Sequence, residues 1–598
     1  MTTFNVPRRT VLAAVPLTAV AVGATSCGFG SEPGQGPSGG GGGGEGATTL
    51  RQANRPVNHL NPAFGGGGSP QSSLLMAMIW EGLVNREEGN LSNYVPGMAE
   101  SWEISEDALN YTFKIRADAK WSNGDPLTAD DFVWSFSYYY SPELADQENE
   151  NNPSKNGSPD VTTIEGLPDY FAGRTTDFST VGVKAPDPQT LEITLTAPDY
   201  SFMNGLVSLY PLHQESVEAN VKDFWMPDNL VGNGPYQMTK YSQNSNATFE
   251  LNEHYWDAEN YTITTREVQF NSSGPTGMMV SYNADEIDLF RVDGDPSALI
   301  SGRPDLEDQL QAATMIQFKG LCVLPCKNPI LQENQKLRQA LAMSLDREAL
   351  ASVAPPDAPA DSWAPTGIEG FDQLPKIPFD PEGAAKLLAE AGHANGEGVP
   401  ELQIVTYATM PALEAAVEMW KEHLNINAGV AVREVGVFSE YIQGNMPDDF
   451  TGLAFNYRGI APPMMLALVG KNFNNYNYVP NETAKQYFAY KSGDDKDKYP
   501  PAEMAEVVDK LLRDNWLPEY REFDTLAKEA VAAQADPEQA LQLAVKAATQ
   551  FQETYLFIPI LWAGYTFMVK PRVHNLTFNS LSDSMFSMKG VTLDPLGG

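Results

Sequence analysis

Beyond residue 50 the chain keeps only two cysteines, Cys322 and Cys326, and holds no run of the roughly 18 apolar residues that a membrane crossing needs. Disulfides therefore cannot hold the fold together, and the body of the chain is read as not spanning a membrane; buried apolar cores must do the work. A single core stops growing at about 250–300 residues, so a chain of 598 residues implies several domains. The material for such cores is present, with 42% apolar and 10% aromatic residues.

Charge removes two classes of ligand. Against 39 basic side chains stand 77 acidic ones, a formal charge of −38. A field of that sign repels nucleic acid and anionic lipid headgroups, so neither is expected as a partner. The surplus carboxylates are read as surface solubility and say little about what is bound.

The first fifty residues read as an address and a tether. Arg8 and Arg9 precede an uncharged apolar stretch, Val11 to Gly23, that ends in Ala24-Thr25-Ser26-Cys27. A basic start, a short apolar segment and small residues before a cleavage point make residues 1–26 an export signal. The paired arginines also admit the twin-arginine route. Cys27 directly after Ala-Thr-Ser resembles the lipobox of bacterial lipoproteins, with Ala24 where a leucine is usual; the alternative is an incidental cysteine at a plain cleavage site. Residues 27–47 follow as a Gly-rich tether, with six consecutive glycines from Gly39 to Gly44, a composition that cannot bury apolar surface. A diacylated Cys27 would hold the protein to the outer face of the cell membrane through lipid alone. Within the tether, Gly36-Pro37-Ser38-Gly39-Gly40 matches the serine-hydrolase elbow pattern, but lacks the strand and helix that strain such an elbow. It carries no chemistry.

From Leu50 onward strand and helix signals mix, which gives an α/β (mixed α+β) class. Tyr111 to Arg116 alternates apolar and polar residues as a half-buried strand does. After the turn Asn123-Gly124-Asp125-Pro126, Thr128 is placed to cap a helix with Asp131 as its capping-box partner and Phe132, Val133, Phe136 and Tyr140 along one face. Val181–Lys184 and Leu191–Leu195 read as strands around a turn at Ala185-Pro186-Asp187-Pro188. Asp380-Pro381 opens a helix with Leu387 and Leu388 inward and Gly392 at its end; Asp536-Pro537 opens another that runs to about Thr554.

A collinear set of motifs then becomes specific. Met98-Ala99-Glu100-Ser101-Trp102, Tyr111 to Arg116 and Trp121-Ser122-Asn123-Gly124-Asp125-Pro126-Leu127-Thr128-Ala129-Asp130-Asp131-Phe132 closely resemble the family 5 bacterial extracellular solute-binding proteins, the oligopeptide-, dipeptide- and nickel-binding receptors of ABC importers. Leu60-Asn61-Pro62, Glu81-Gly82-Leu83-Val84, Gly232-Asn233-Gly234-Pro235-Tyr236, Asn252 to Trp256, Asp285-Glu286-Ile287-Asp288, Leu337 to Leu341 and Lys386 to Gly392 continue the resemblance in order. Gly-Asn-Gly-Pro-Tyr is expected to be a tight turn, and the tryptophans core.

The resemblance implies a two-lobed periplasmic-binding-protein-like fold (type II, cluster C) with an extra accessory domain. Residues 48–85, 215–319 and 556–598 would form domain I, 86–214 the accessory domain II, and 320–555 domain III, with a solute held in the cleft between I and III. It also implies two ligand-binding segments. The first is Phe64, Gly65, Gly66, Gly67 and Gly68, whose glycines would either admit a ligand close to the backbone or form a mobile lip. The second is Phe455, Asn456, Tyr457, Arg458 and Gly459, before Pro463. Peptide-binding members carry there an aspartate that pairs with the peptide's ammonium; the matching position is Gly459, with Arg458 beside it. Such an exchange favours a carboxylate or phosphate if Arg458 faces the cleft; an outward-facing or internally paired arginine is the alternative.

Cys322 and Cys326, near the first hinge, would have Cα atoms about 13 Å apart along a straight strand, beyond disulfide reach; a Pro325-bent loop would admit a bridge, and buried thiols are the alternative. The six histidines are scattered, so no metal site or cofactor is implied. The reading is thus a monomeric extracytoplasmic receptor, not an enzyme, that takes a peptide or peptide-like solute to the permease subunits of an ABC importer. A receptor for a non-peptide anion or chelate, or for a signalling peptide, stands beside it; a secreted hydrolase ranks behind, since no histidine joins a Ser, Cys or metal constellation.

Overall fold

The computed structural model describes residues 47–596 apart from 58, 64–69, 88–89, 146–162, 200–201, 293–295, 364–372, 443–444, 460–478, 492–494, 496–497, 499–500, 534–535 and 579–585. The export signal and nearly all of the tether, with Cys27, lie outside the described residues.

Local elements follow the chain's own signals. In the strand Asn110–Ile115 the side chains of Tyr111, Phe113 and Ile115 are buried while Asn110 and Lys114 are exposed. Thr128 caps the helix Ala129–Tyr139, and the Asp131 carboxylate accepts the Thr128 amide N–H at 2.7 Å. Phe132, Phe136 and Tyr140 from that helical face are buried. Asp380 and Asp536 accept from the amides of Gly383 and Gln539, at 2.9 and 3.1 Å, and start the helices Pro381–Glu390 and Pro537–Thr554. Leu388 is buried as expected, whereas Leu387 is only partly so.

Two expectations need correction. The turn placed at Ala185–Pro188 is tighter, because the strand Val183–Asp187 runs through it to pair with Thr190–Thr194. Pro186 is tolerated there because this strand is at the edge of its four-stranded sheet. Gly232 and Gly234 do not make a turn with positive φ. They allow close approach instead: a Cβ would stand 2.4 Å from the Ile79 carbonyl oxygen at Gly232 and 2.7 Å from the Trp80 nitrogen at Gly234. Asn233 clamps the contact, accepting from the Glu81 amide at 3.1 Å and donating to its carbonyl at 2.8 Å.

Among the described residues, eleven strands form one continuous sheet. At one end lie Ala428–Val432, Leu402–Thr406 and Gly452–Gly459; at the other lie Leu289–Val292, Thr49–Asn54, Thr265–Phe270, Asn246–Leu251 and Tyr236–Ser242. Two long antiparallel strands join these ends, Leu310–Val323 and Phe557–Val569. They also feed different apolar cores. Phe567 and Val569 pack with Leu50, Trp80 and Phe249, whereas Phe318, Leu321, Phe557 and Leu561 pack with Leu341, Trp363 and Trp420. Phe557–Val569 thus runs from one core into the other, and Leu310–Val323 lies beside it from Leu310, in a third small cluster, into the core of Leu341 and Trp420; these two connecting strands are taken as the hinge of the two-lobed fold.

Candidate functional site

The hinge ladder is not regular. Leu310–Thr314 pairs with Met568–Gly564 and Phe318–Cys322 with Trp562–Phe557, with register shifts between Thr314 and Phe318 and again between Lys319 and Gly320. Such irregularities bend and twist a strand pair where it changes partners. Beyond the shift, the first hinge strand takes Gly452–Gly459 as its other neighbour, with Gly320 opposite Asn456, Lys319 opposite Tyr457, Phe318 opposite Arg458 and Gln317 opposite Gly459.

The other edge of Gly452–Gly459 is only half used. Leu402–Thr406 pairs with it over Gly452–Ala454, and among the described residues no strand continues that pairing along Asn456–Gly459. A run of main-chain donors and acceptors beside the hinge is a template on which an extended ligand can lie as an added strand.

The structure places the second predicted segment, Phe455 to Gly459, at this edge. Phe455 is buried in the core of the C-terminal lobe at 2% exposure, so a ligand would meet its backbone and not its ring. The side chains of Asn456, Tyr457 and Arg458 lie outside the described residues, as does the whole first segment, Phe64 to Gly68. Helix Pro70–Ile79 begins two residues after Gly68.

Cys322 and Cys326 are both buried and not bridged to each other. The strand carries Cys322 into the Leu321–Trp420 core, whereas Leu324 and Cys326 enter a separate small cluster with Phe438 and Phe450. The Cys326 thiol donates to the Asn328 carbonyl at 2.9 Å, and burial pushes its pKa up. The bridge that the sequence admitted is therefore not formed.

Sequence reasoning missed a buried ion pair at the hinge. Lys319, in an otherwise apolar strand segment, pairs with Asp357, their side chains 11% and 3% exposed. A lone lysine between Phe318 and Leu321 was the available signal. Elsewhere Asp288, at the end of the Asp285–Asp288 motif, is gripped by Arg51 and Arg572 at 2.7 Å each, which ties three distant chain segments to one another. No group of three or more His, Cys, Asp or Glu side chains among the described residues could hold a metal ion, and no helix among them is long and apolar enough to cross a membrane.

Residues 93–480 match the sequence model of bacterial extracellular solute-binding proteins, family 5 Middle. The oligopeptide-binding protein AliB of Streptococcus pneumoniae is 35% identical over 32% of this chain and 29% of its own. The dipeptide-binding protein DppE of Bacillus subtilis is 28% identical over 58% of this chain and 63% of its own. Both matches thus span less than two thirds of the relative. The periplasmic oligopeptide-binding protein OppA of Salmonella typhimurium is 27% identical over 73% of this chain and 78% of its own. Among solved structures, the unliganded open form of the periplasmic murein tripeptide binding protein MppA superposes with a TM-score of 0.68 at 20% identity, covering 91% of this chain and 97% of that one. Haemophilus influenzae OppA in complex with RPPGFSPFR gives 0.59 at 22% identity, covering 92% and 99%. At such identities the likeness establishes the fold, the mixed α/β, two-lobed architecture of periplasmic oligopeptide-binding proteins.

Proposed function

Because the chain belongs to the family 5 bacterial extracellular solute-binding proteins, we propose that it captures a peptide or peptide-like solute between its lobes and delivers it to the permease subunits of an ABC importer. The half-used edge of Gly452–Gly459 beside the hinge carries this reading. Main-chain hydrogen bonds to such an edge are indifferent to side chains, and each contributes about 0.5–1.5 kcal/mol. Phe64 to Gly68, by the family resemblance, supplies further contacts to the solute. Closure of the lobes excludes water and strengthens each polar contact, and the solute stabilises the closed form by its preference for it. No bond is made or broken. Residues 48–85, 215–319 and 556–598 act as one lobe, 320–555 as the other, and 86–214 as the accessory domain. Cys27 bears the lipid that holds a monomer to the outer face of the membrane.

Arg458 beside Gly459 supports a second reading, in which the solute presents a carboxylate or phosphate to that end of the cleft and lacks a free ammonium there. The deciding experiment is calorimetry of the purified chain with defined peptides of two to nine residues, paired with mass spectrometry of the recovered peptides and small-angle scattering. Stoichiometric binding, intact peptides and compaction on binding are expected. Cleavage of the peptides would point to an enzyme, and the absence of binding to every peptide would leave the anion reading as the one to pursue.

A further inference from the structure

A cavity of about 550 Å³ opens in the N-terminal lobe, and none of its lining residues belongs to the hinge strands or to Gly452–Gly459. Its wall is rich in rings, among them Trp80, Tyr210, Tyr236, Trp256 and Phe586. Arg266, on the strand Thr265–Phe270, lines it at 3% exposure.

The surroundings of Arg266 leave its charge uncompensated. It donates to the side-chain oxygen of Gln52 at 2.6 Å, and its Nε is buried with no hydrogen-bond partner. The rings of Tyr236 and Phe586 are centred 5.5 Å from its Cζ. Among the described residues no carboxylate pairs with it. Of the three acids in the wall, Asp257 is bound to Lys589 at 2.7 Å, Glu81 is occupied by Trp256, Tyr255 and Asn85, and Glu87 is engaged with a group other than Arg266. Of two other buried arginines, Arg338 donates to the carbonyls of Thr554, Leu331 and Gln332 and to Glu519, whereas Arg347 donates to those of Pro559 and Leu345 and also leaves one nitrogen, Nη2, without a partner; neither lines this cavity. Burial pushes the Arg266 pKa down to about 10, a guanidinium still charged at neutral pH. A buried cation without a counter-charge is costly and is normally relieved by a partner anion.

We propose that this cavity is a second ligand site, for a small organic carboxylate with an aromatic or apolar body, its oxygens on the Arg266 guanidinium and its body against the ring-lined wall. The volume falls within the range of small-molecule pockets, and the planar guanidinium fork matches a carboxylate. Lys589, with its side chain 51% exposed, marks the mouth. The site does not depend on what the interlobe cleft binds.

The test is calorimetric titration of the full chain with benzoate and with benzamide, its neutral isostere, alongside a crystal soaked in para-bromobenzoate. Benzoate should bind at least about tenfold tighter than benzamide, with the bromine inside the cavity and the carboxylate on Arg266. Arg266→Met should abolish that preference while leaving peptide titrations in the cleft unchanged. Should Arg266→Met fail to fold, Arg266→Lys, which keeps the charge and loses the fork, should weaken benzoate selectively. Equal affinity for benzoate and benzamide, no benzoate binding, or bromine only outside the cavity would each overturn the assignment.

Discussion

Lys319 and Asp357 form a buried ion pair that ties both hinge strands together. Lys319 stands on Leu310–Val323, and while one Asp357 oxygen takes its ammonium, the other accepts the amide of Gly564, on Phe557–Val569, at 3.0 Å. Lys319→Met strands a carboxylate that is 3% exposed, and removing one partner of a buried pair costs about 3–5 kcal/mol. Adding Asp357→Asn, which keeps an acceptor for Gly564, should recover most of the loss. Urea denaturation midpoints of the single and double variants check this; a single variant as stable as the parent would deny the pair its role.

Asp288 gives a pH dependence of known sign. Burial raises its pKa, but hydrogen bonds from Arg572 and Arg51 outweigh that and hold the carboxyl below its ordinary value of 3.8. A carboxylate whose folded pKa is depressed stabilises the fold above its unfolded pKa, and loses that contribution as pH falls through the folded value. Stability from this group should therefore be complete above about pH 4 and drain away below it. Asp288→Asn should cost about 3 kcal/mol at neutral pH, the low end for a broken buried pair, because Arg51 and Arg572 keep 18% and 12% exposure. Its denaturation midpoint should also change less than the parent's between about pH 5 and pH 3. Parallel pH profiles would contradict the linkage.

Gly320 sits where the hinge ladder shifts register. A Cβ there would lie 2.2 Å from the Phe557 ring and 2.6 Å from the Ile558 carbonyl oxygen, so the strands must part to admit it. Gly320→Ala should destabilise by about 1–3 kcal/mol, as overpacking does. Hydrogen exchange should quicken at the Lys319 and Gly320 amides in particular. Unchanged melting and exchange would show that the hinge yields without cost.

Local structure was legible because its causes are local. Asp380-Pro381 and Asp536-Pro537 satisfy their own helix starts, and the alternation of Tyr111, Phe113 and Ile115 declares its buried face. What escaped was set by contacts across the chain. Gly232 and Gly234 look like turn residues, and only the approach of Ile79 and Trp80 reveals their purpose. Asp357 lies 38 residues from Lys319, and no spacing rule joins them. Arg266 shares its strand face with the buried Val268 and Phe270, and only Gln52 and the ring-lined wall show the setting that receives its charge. The family motifs located the Phe455–Gly459 segment, whereas the half-used edge beside it came only from strand pairing.

Arg458 stands next to the position where peptide-binding relatives of this type would carry a carboxylate, and opposite Phe318 in the strand register. If it receives the solute's anionic end, Arg458→Ala should lose a charge-assisted hydrogen bond of about 1.5–3 kcal/mol, roughly ten- to a hundredfold in affinity. The loss should appear for peptides with a free carboxylate and vanish for C-terminally amidated ones. Equal weakening of both, measured by calorimetry, would assign Arg458 a role in the scaffold.

Strand addition at Asn456–Gly459 makes a demand that pocket binding does not. Successive residues of an extended peptide alternate, so only every second residue turns its amide toward a given edge. Replacing those amides by N-methyl groups removes a donor and leaves the edge carbonyl unsatisfied, at about 1–3 kcal/mol each. The intervening amides face away from this edge. A scan of singly N-methylated variants of one bound peptide should therefore give affinity losses with a period of two, over the residues that lie along Asn456–Gly459. If the losses follow particular side chains, or fall evenly on every position, the peptide is held by pockets and the half-used edge is incidental.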